Sequence, residues 1–294
     1  MTNPAPSPGL RREAEGIAAH FPALLADARQ LAAAVQPGAH GRRRAGVGDE
    51  FWQYRPAMAF DEARLIDWRR SARSDQHFMR EKEWQATQSV HLWADNAQSM
   101  AFGSSQDVPT KASRARILAL ATAILLERAG ERVGLADGIT PPRAGQAQLT
   151  RIAQALDVPA AGDEYGLPTP GALLSGSRAV FLSDFFGDIS QIEACVLAAS
   201  DRGVSGVLVQ VLDPTEEAFS FAGRAIFESM GGSLSHETRE AGGLRGRYLA
   251  RLAERQERLA ALARQTGWHW TVHHTNMPAA TLLLWLYHAI GQQP

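Results

Sequence analysis

The segment SVHLWADNAQSM, residues 89–100, opens the regular part of the chain and decides its fold class. Its first seven residues, SVHLWAD (89–95), form a short apolar run that ends in an aspartate, which is typical of a buried strand followed by a turn. A helical pattern follows over residues 111–130 and ends at Gly130, the residue type that most often terminates helices. A buried strand followed by a long helix is the first half of a β-α-β unit, so a parallel sheet is expected.

The same alternation continues to the end of the chain. Further strands are predicted at 131–138, 177–185, 204–213 and 268–276, with a short additional strand at 223–229. Helices are predicted at 148–157, 189–203, 239–266 and 278–290. Strands that are separated by helices predict an α/β protein with a doubly wound, mostly parallel sheet and helices on both faces.

The first 88 residues are less regular than the rest. Residues 10–35 have helical spacing and stop at Pro37 and Gly38, residues 38–56 are rich in glycine and arginine without periodicity, and residues 66–88 mix charges with aromatics. We therefore expect two regions. Residues 1–88 comprise an N-terminal helix and an irregular segment that packs on the main domain, and residues 89–294 form the α/β domain.

Composition excludes several classes of protein. The 294 residues carry a net charge of −1, which gives no general attraction to nucleic acid or anionic membranes. The single cysteine, Cys195, excludes an internal disulfide and a cysteine-based zinc site, and its apolar neighbours predict a buried thiol on a helix. The N-terminus has no apolar signal region, and no run reaches the roughly 20 apolar residues of a membrane span. We expect a cytoplasmic protein without a membrane span.

Three predicted strands end in aspartate, at Asp95, Asp184 and Asp213. Ligands of open α/β sheets bind at the carboxyl ends of the strands, so Asp95 and Asp184 are placed for function. Hydroxyls at Ser99 and Thr169 would add the oxygen ligands that Mg²⁺ prefers. Spacing alone leaves open that these aspartates only stabilise turns.

Other polar clusters are weaker indications of function. Residues 42–44, Arg42, Arg43 and Arg44, form a purely basic cluster that fits either a solvated loop or docking to an acidic partner. Residues 64–83 mix basic and aromatic side chains, but interleaved carboxylates favour internal ion pairs over nucleic-acid binding. The histidines of the last strand, at 269, 273 and 274, are expected to be packed or exposed rather than to bind metal. Phosphate-loop, dinucleotide, nucleophile-elbow and HExxH signatures are absent from the sequence.

Three motifs follow one another in a fixed order: GVGDEFWQYRP (46–56), DEARLIDWRRSAR (61–73) and DNAQSM (95–100). Together they resemble the domain-of-unknown-function 58 family of bacteria, whose members carry a von Willebrand factor A-like domain. The family pattern is G-x-G-x-E-F, then R-x-Y-x-x-G-D-D-x-R-x-I-D-W-x-x-x-A-R, then a strand that ends in D-x-S-x-S-M. The later stretch SDFFGD, which contains Asp184, resembles the end of another family strand. Two positions depart from the pattern: Phe60 replaces a glycine, and Ala97 replaces the first hydroxyl of D-x-S-x-S.

The resemblance implies a metal-ion-dependent adhesion site. In A-type domains such a site combines the D-x-S-x-S motif with a threonine on a second loop and an aspartate on a third. The implied ligands here are Asp95, Ser99, Thr169 and Asp184. Because Ala97 presents a methyl group where an oxygen is expected, we expect at most weak binding of Mg²⁺ or Mn²⁺.

The resemblance also implies a function. Family members are associated with MoxR-type AAA+ ATPases, so the expected role is a non-enzymatic adaptor between such an ATPase and an unknown client, in assembly or maturation of a complex. The expected partner-binding residues are Asp95, Asn96, Ser99, Thr169 and Asp184 at the strand ends, together with Arg42, Arg43 and Arg44. Two alternatives remain: a metal-dependent hydrolase that uses Asp95 and Asp184 to activate water, and a nucleic-acid-binding protein that uses residues 42–44 and 64–82.

Overall fold

The computed structural model describes most of the chain in ten segments. They are residues 26–35, 42–58, 62, 66–73, 76–105, 107–157, 162–219, 225–228, 235–238 and 242–291. The chain divides into two compact units, a small one formed by Ala39–Gln88 and a large one formed by Met1–Gly38 together with Ser89–Pro294.

The small unit contains an antiparallel strand pair. Strand β1 (Arg42–Pro56) pairs with β2 (Phe78–Ala86), and the short helix α2 (Trp68–Ser71) lies between them in the chain. The sequence predicted irregular structure over residues 38–56, which is wrong for β1. The register of the pair shifts twice between Gly46 and Gln53, and such irregularities interrupt the alternation by which a strand is recognised.

The large unit is built on a five-stranded sheet in which every pairing is parallel. Its strands are β3 (Ser89–Ala94), β4 (Arg132–Leu135), β5 (Arg178–Ser183), β6 (Ser205–Leu212) and β9 (His269–His274). The spatial order is β4-β3-β5-β6-β9, one of the two common doubly wound orders. The predicted α/β architecture, with a doubly wound parallel sheet, is confirmed.

Helices cover both faces of this sheet. They are α1 (described over residues 26–33), α3 (Lys111–Arg128), α4 (Gln146–Leu156), α5 (Ile189–Asp201), α7 (Gly242–Thr266) and α8 (Ala279–Gly291). Alternate residues of β5 point to opposite cores: Val180 and Leu182 pack in the cluster that contains α3, α4 and α8, whereas Ala179 and Phe181 pack with α5 and α7. Burial on both faces explains why the central strands read as continuous apolar runs.

The chain between β6 and α7 holds smaller elements. Helix α6 (Pro214–Ala218) follows β6, and strands β7 (Ala225–Glu228) and β8 (Ser235–Thr238) pair antiparallel in a separate two-stranded sheet. The predicted short strand at 223–229 is therefore present as β7, but its partner β8 was not predicted. Among the residues that the structure describes, no helix combines the length and apolar character that a membrane crossing requires.

Candidate functional site

The candidate site lies where the order of the strands reverses. Strands β3 and β5 are neighbours at the centre of the sheet, and the chain leaves β3 towards β4 on one side and β5 towards β6 on the other. Such a switch point opens a crevice at the carboxyl ends of the two strands. Asp95 directly follows β3 and Asp184 directly follows β5, so both predicted aspartates stand at this crevice.

The Asp95 carboxylate is buried and bound by protein groups on both oxygens. Its Oδ2 accepts a hydrogen bond from the Ser183 hydroxyl at 2.6 Å, and its Oδ1 accepts one from the Ala97 backbone N–H at 2.9 Å. Burial raises the pKa of Asp95 to about 6, although both hydrogen bonds act in the opposite direction.

A second loop covers Asp95. The backbone N–H groups of Gln98 and Ser99 donate to the carbonyls of Asp163 and Glu164, at 3.2 and 3.0 Å. Gly166 approaches so closely that a Cβ atom at this position would lie 2.1 Å from Asp95 Oδ1. The close approach requires glycine at position 166 and leaves the carboxylate beneath a layer of backbone.

A buried lysine joins the second aspartate to a third carboxylate. Lys111, the first residue of α3, is only 1% exposed. Its Nζ donates to Asp184 Oδ2 at 2.9 Å and to Glu216 Oε1 at 2.6 Å. Burial lowers the pKa of Lys111, but the two carboxylates outweigh that effect and leave the pKa above its ordinary value. Lys111 is therefore an ammonium ion within the protein interior.

Glu216 belongs to a capping box that fixes its position. Its Oε2 accepts from the Asp213 N–H at 2.8 Å, while the Asp213 side chain accepts from Thr215 N–H at 2.9 Å. The other oxygen of Asp213 accepts from the Ser104 N–H at 3.0 Å. Through these bonds the loops that follow β3, β5 and β6 are tied into one network around Lys111.

The loop after β5 has a strained backbone that the surroundings hold in place. Phe185 has φ = 52°, a left-handed conformation that bulky residues rarely adopt. Its N–H donates to Ser183 Oγ at 2.9 Å, and the N–H of Phe186 donates to Asp184 Oδ1 at 3.0 Å. The Arg255 guanidinium of α7 donates to the carbonyl of Phe185 and, at 2.7 Å, to that of Gly187. Both faces of the sheet thus contribute to the geometry of this loop.

The other residues predicted at the strand ends, which are Ser99, Asn96 and Thr169, have different surroundings. The Ser99 hydroxyl is buried and has no hydrogen-bond partner among the described residues. The Asn96 side-chain oxygen accepts from Arg116 of α3. Thr169 is exposed, and the segment around it is held by α5, since Cys195 donates to the Pro168 carbonyl at 3.2 Å and Arg202 donates to the Pro170 carbonyl at 2.8 Å. These contacts hold the Thr169 segment on α5.

These residues do not fit the metal site that the family resemblance implies. Both oxygens of Asp95 and both oxygens of Asp184 accept hydrogen bonds from protein donors. One of the donors to Asp184 is the Lys111 ammonium, which is itself a cation. Of the four implied ligands, Ser99 alone presents an unengaged buried oxygen within the described part of the chain. A divalent ion would have to displace the Lys111 ammonium to reach Asp184.

Three side chains of the site were not predicted from the sequence: Lys111 and Glu216 of this network, and Ser183, which binds Asp95. The stretch DPTE (213–216) has the aspartate and glutamate spacing of a capping box, which could have indicated Glu216. Lys111 stands directly after the N-cap Thr110, a position where positive charge is unfavourable. That mismatch was the available sign that Lys111 has carboxylate partners elsewhere in the fold.

The structure also describes the other residues that the sequence singled out. The backbones of Arg42, Arg43 and Arg44 form the first three positions of β1 in the small unit. On β9, His273 is buried, and burial lowers its pKa to about 4. The ring of His274 lies 2.6 Å from a carboxylate oxygen of Glu217.

Comparison with known proteins places the chain in a family. The profile of the family described as "Protein of unknown function DUF58" matches residues 53–258. The chain belongs to the DUF58 family. The matched region of this DUF58 protein includes Asp95, Lys111, Asp184 and Glu216.

A solved structure also resembles this DUF58 protein. It is the crystal structure of the conserved hypothetical protein BatB from Bacteroides thetaiotaomicron, which is 13% identical in sequence. The similarity covers 69% of the present chain and 98% of the BatB chain, with a TM-score of 0.40. No curated protein matches the sequence.

Proposed function

We propose that this DUF58 protein is a non-enzymatic adaptor that docks a protein partner at the carboxyl-terminal edge of its large sheet. The main observation behind this proposal is that exposed apolar side chains lie on several loops of this edge. They lie beside the network of charged side chains around Lys111, whose members bind one another. Ile139 follows β4 and is 86% exposed, Met277 follows β9, and Tyr165 stands on the loop that covers Asp95. Exposed apolar groups at one edge are typical of protein–protein contact surfaces.

The engagement of the polar groups favours binding over catalysis. A general base must reach its substrate, whereas the Asp95 and Asp184 side chains are buried and all four of their carboxylate oxygens accept hydrogen bonds from the protein. Cys195 is buried, and burial raises the pKa of its thiol to about 12, so the nucleophilic thiolate is suppressed at neutral pH. The same engagement disfavours the alternative of a metal-dependent hydrolase built on the two aspartates.

The proposed partners are a MoxR-type AAA+ ATPase and a client protein, in the cytoplasm. This part of the proposal rests on the family resemblance, which implies an adaptor that links such an ATPase to a client. Loops at the edge of a rigid sheet suit such a role, because their side chains can contact a partner while the sheet stays folded.

The docking surface is tested by placing a charge on it. The change Ile139→Asp puts a carboxylate at the carboxyl-terminal edge, and Leu174→Asp is the matched control, because Leu174 is also exposed but lies shortly before β5, at the opposite edge. Binding of the purified ATPase of the same genome is measured by surface plasmon resonance with full-length chains. We expect Ile139→Asp to weaken binding at least tenfold, a loss of about 1.4 kcal/mol, while Leu174→Asp leaves it unchanged. Equal effects of the two changes would refute docking at this edge.

The basic cluster of the small unit is tested separately. Changing Arg42, Arg43 and Arg44 together to glutamate reverses the charge at the start of β1. If the cluster docks an acidic surface of the ATPase, this variant associates with the ATPase more slowly than the natural sequence does, and the association rate becomes less sensitive to salt. Unchanged kinetics in the same assay would remove this cluster from the docking surface.

A further inference from the structure

Lys111 is an unusual lysine in this chain. The sequence has 28 arginines and only two lysines, Lys82 and Lys111. Lys111 is among the largest side chains that are fully buried. Moving an ammonium ion out of water costs several kcal/mol even after relaxation, so a buried lysine persists only where nearby groups compensate its charge.

The position of Lys111 adds to that cost. It is the first residue of α3, directly after the N-cap Thr110, where the helix dipole places partial positive charge. A cation there is stabilised only by groups outside the helix, and the contacts of Nζ to Asp184 and Glu216 provide them. The rings of Phe186 and Phe102, with centroids 4.9 and 5.8 Å from Nζ, complete its surroundings and are placed for cation–π attraction.

We infer that the Lys111 ammonium is the built-in cation of the strand-end site and takes the place of the divalent metal ion of a metal-dependent A-type domain as the counter-ion of Asp184. The carboxylate that the resemblance assigns to the metal, Asp184, has one oxygen on Nζ and the other on a backbone N–H. A second carboxylate, Glu216, shares the same ammonium. Ala97 is the complementary change, because the position that would offer a metal-ligating hydroxyl offers a buried methyl group.

A cation that belongs to the protein changes how a partner can bind at this site. In a site centred on a metal ion, a partner's carboxylate can complete the coordination sphere. Here the cation is covalently part of α3, buried and already paired, so it offers no open position to a partner. Contacts at this edge are then made by the surrounding loops, and they are insensitive to chelators and to divalent cations. The inference concerns the cation of the site, and it holds whether or not the ATPase is the partner.

Manganese titration of the full-length chain, followed by electron paramagnetic resonance of free Mn²⁺, tests the inference. For the natural sequence we expect no saturable site below about 1 mM and no change in Tm with Mn²⁺ or EDTA. In the double variant Lys111→Ser with Ala97→Ser, the ammonium is gone and an oxygen is restored, so we expect one Mn²⁺ site that the further change Asp184→Asn removes. Saturable binding to the natural sequence below about 1 mM that Asp184→Asn abolishes would overturn the inference.

Lysine acylation tests the same point without any substitution. With only two lysines, the modification of each can be followed by mass spectrometry of peptides after a pulse of acetic anhydride. We expect Lys111 in the native chain to be acylated at least 100-fold more slowly than in the urea-unfolded chain, because its Nζ is buried and ion-paired. Acylation of Lys111 at similar rates in both states would show an accessible amine and would overturn the inference even if the serine variants fail to fold.

Discussion

Replacing Lys111 by methionine is expected to destabilise the large unit strongly. Methionine keeps an unbranched, flexible side chain that is one atom shorter, has a sulfur in place of one methylene and lacks the charged nitrogen. The loss leaves the buried Asp184 carboxylate without its cation, and Glu216 loses the same partner. Removing one member of a buried ion pair costs about 3–5 kcal/mol, because the remaining charge stays buried without compensation. We expect Lys111→Met to fall in that range.

The contacts of Lys111 also predict the relative stability of two related variants, Asp184→Asn and the double variant. Asp184→Asn leaves Lys111 paired with Glu216 at 2.6 Å, so its cost is that of one charge-assisted hydrogen bond, about 1.5–3 kcal/mol. The double variant Lys111→Met with Asp184→Asn contains no unpaired charge at position 184. It should therefore be more stable than Lys111→Met alone, which is the signature of direct coupling between the two side chains.

Urea unfolding followed by circular dichroism and tryptophan fluorescence provides the free energies. Arg264→Met is the matched control, because Arg264 makes an exposed ion pair with Glu257, and such pairs contribute at most about 1 kcal/mol. A cost of Lys111→Met no larger than that of the control would show that the buried ion pairs of Lys111 do not stabilise the fold. So would a double variant that is less stable than Lys111→Met by the full cost of Asp184→Asn, since additive costs mean that the two charges do not interact.

Three further predictions follow from buried groups. Gly166→Ala should cost about 1–3 kcal/mol in urea unfolding, because its Cβ would lie 2.1 Å from Asp95 Oδ1, whereas Gly171→Ala, with open space around the new Cβ, should be near neutral. Burial lowers the pKa of His273 in the folded chain from 6.5 to about 4. The contribution of the neutral His273 to the free energy of unfolding is therefore fully present above pH 6.5 and is lost as the pH falls towards 4, about 3 kcal/mol in all. A His273→Gln variant that loses the same stability between these pH values would contradict this prediction. Cys195 should react with iodoacetamide only upon unfolding, since its thiol is buried and its pKa is raised to about 12, and rapid alkylation of the native chain would disprove it.

The sheet could be predicted because each of its central strands carries a local signal. The runs that became β3, β5 and β6 are apolar because both faces are buried, and each is followed by an aspartate. Of the helices between them, α4 and α5 have an amphipathic pattern, whereas α3 is recognised by its length and by its end before Gly130. Strand β1 could not be recognised in the same way, because its register irregularities and glycines break the alternation over the length of the strand.

The chemistry of the site was less accessible from the sequence. Asp95 and Asp184 could be placed at one crevice, since topology alone brings the ends of neighbouring strands together. The Lys111 ammonium could not be placed there from the sequence, because Lys111 and Asp184 are 73 positions apart. A lysine at the start of a helix is also expected to be exposed to solvent. The contacts that hold the Thr169 segment on α5 are likewise tertiary, formed with Cys195 and Arg202 through backbone carbonyls that no side-chain pattern reports.

The proposed function requires that the carboxyl-terminal edge of the sheet docks a protein partner. Hydrogen–deuterium exchange of the full chain, with and without saturating MoxR-type ATPase, tests it most directly. We expect added protection in the loops of residues 96–105, 136–140, 162–167 and 275–277, unchanged by EDTA, and none at residues 174–177 on the opposite edge. Binding that protects other parts of the chain and leaves these four loops unprotected would rule out docking at this edge.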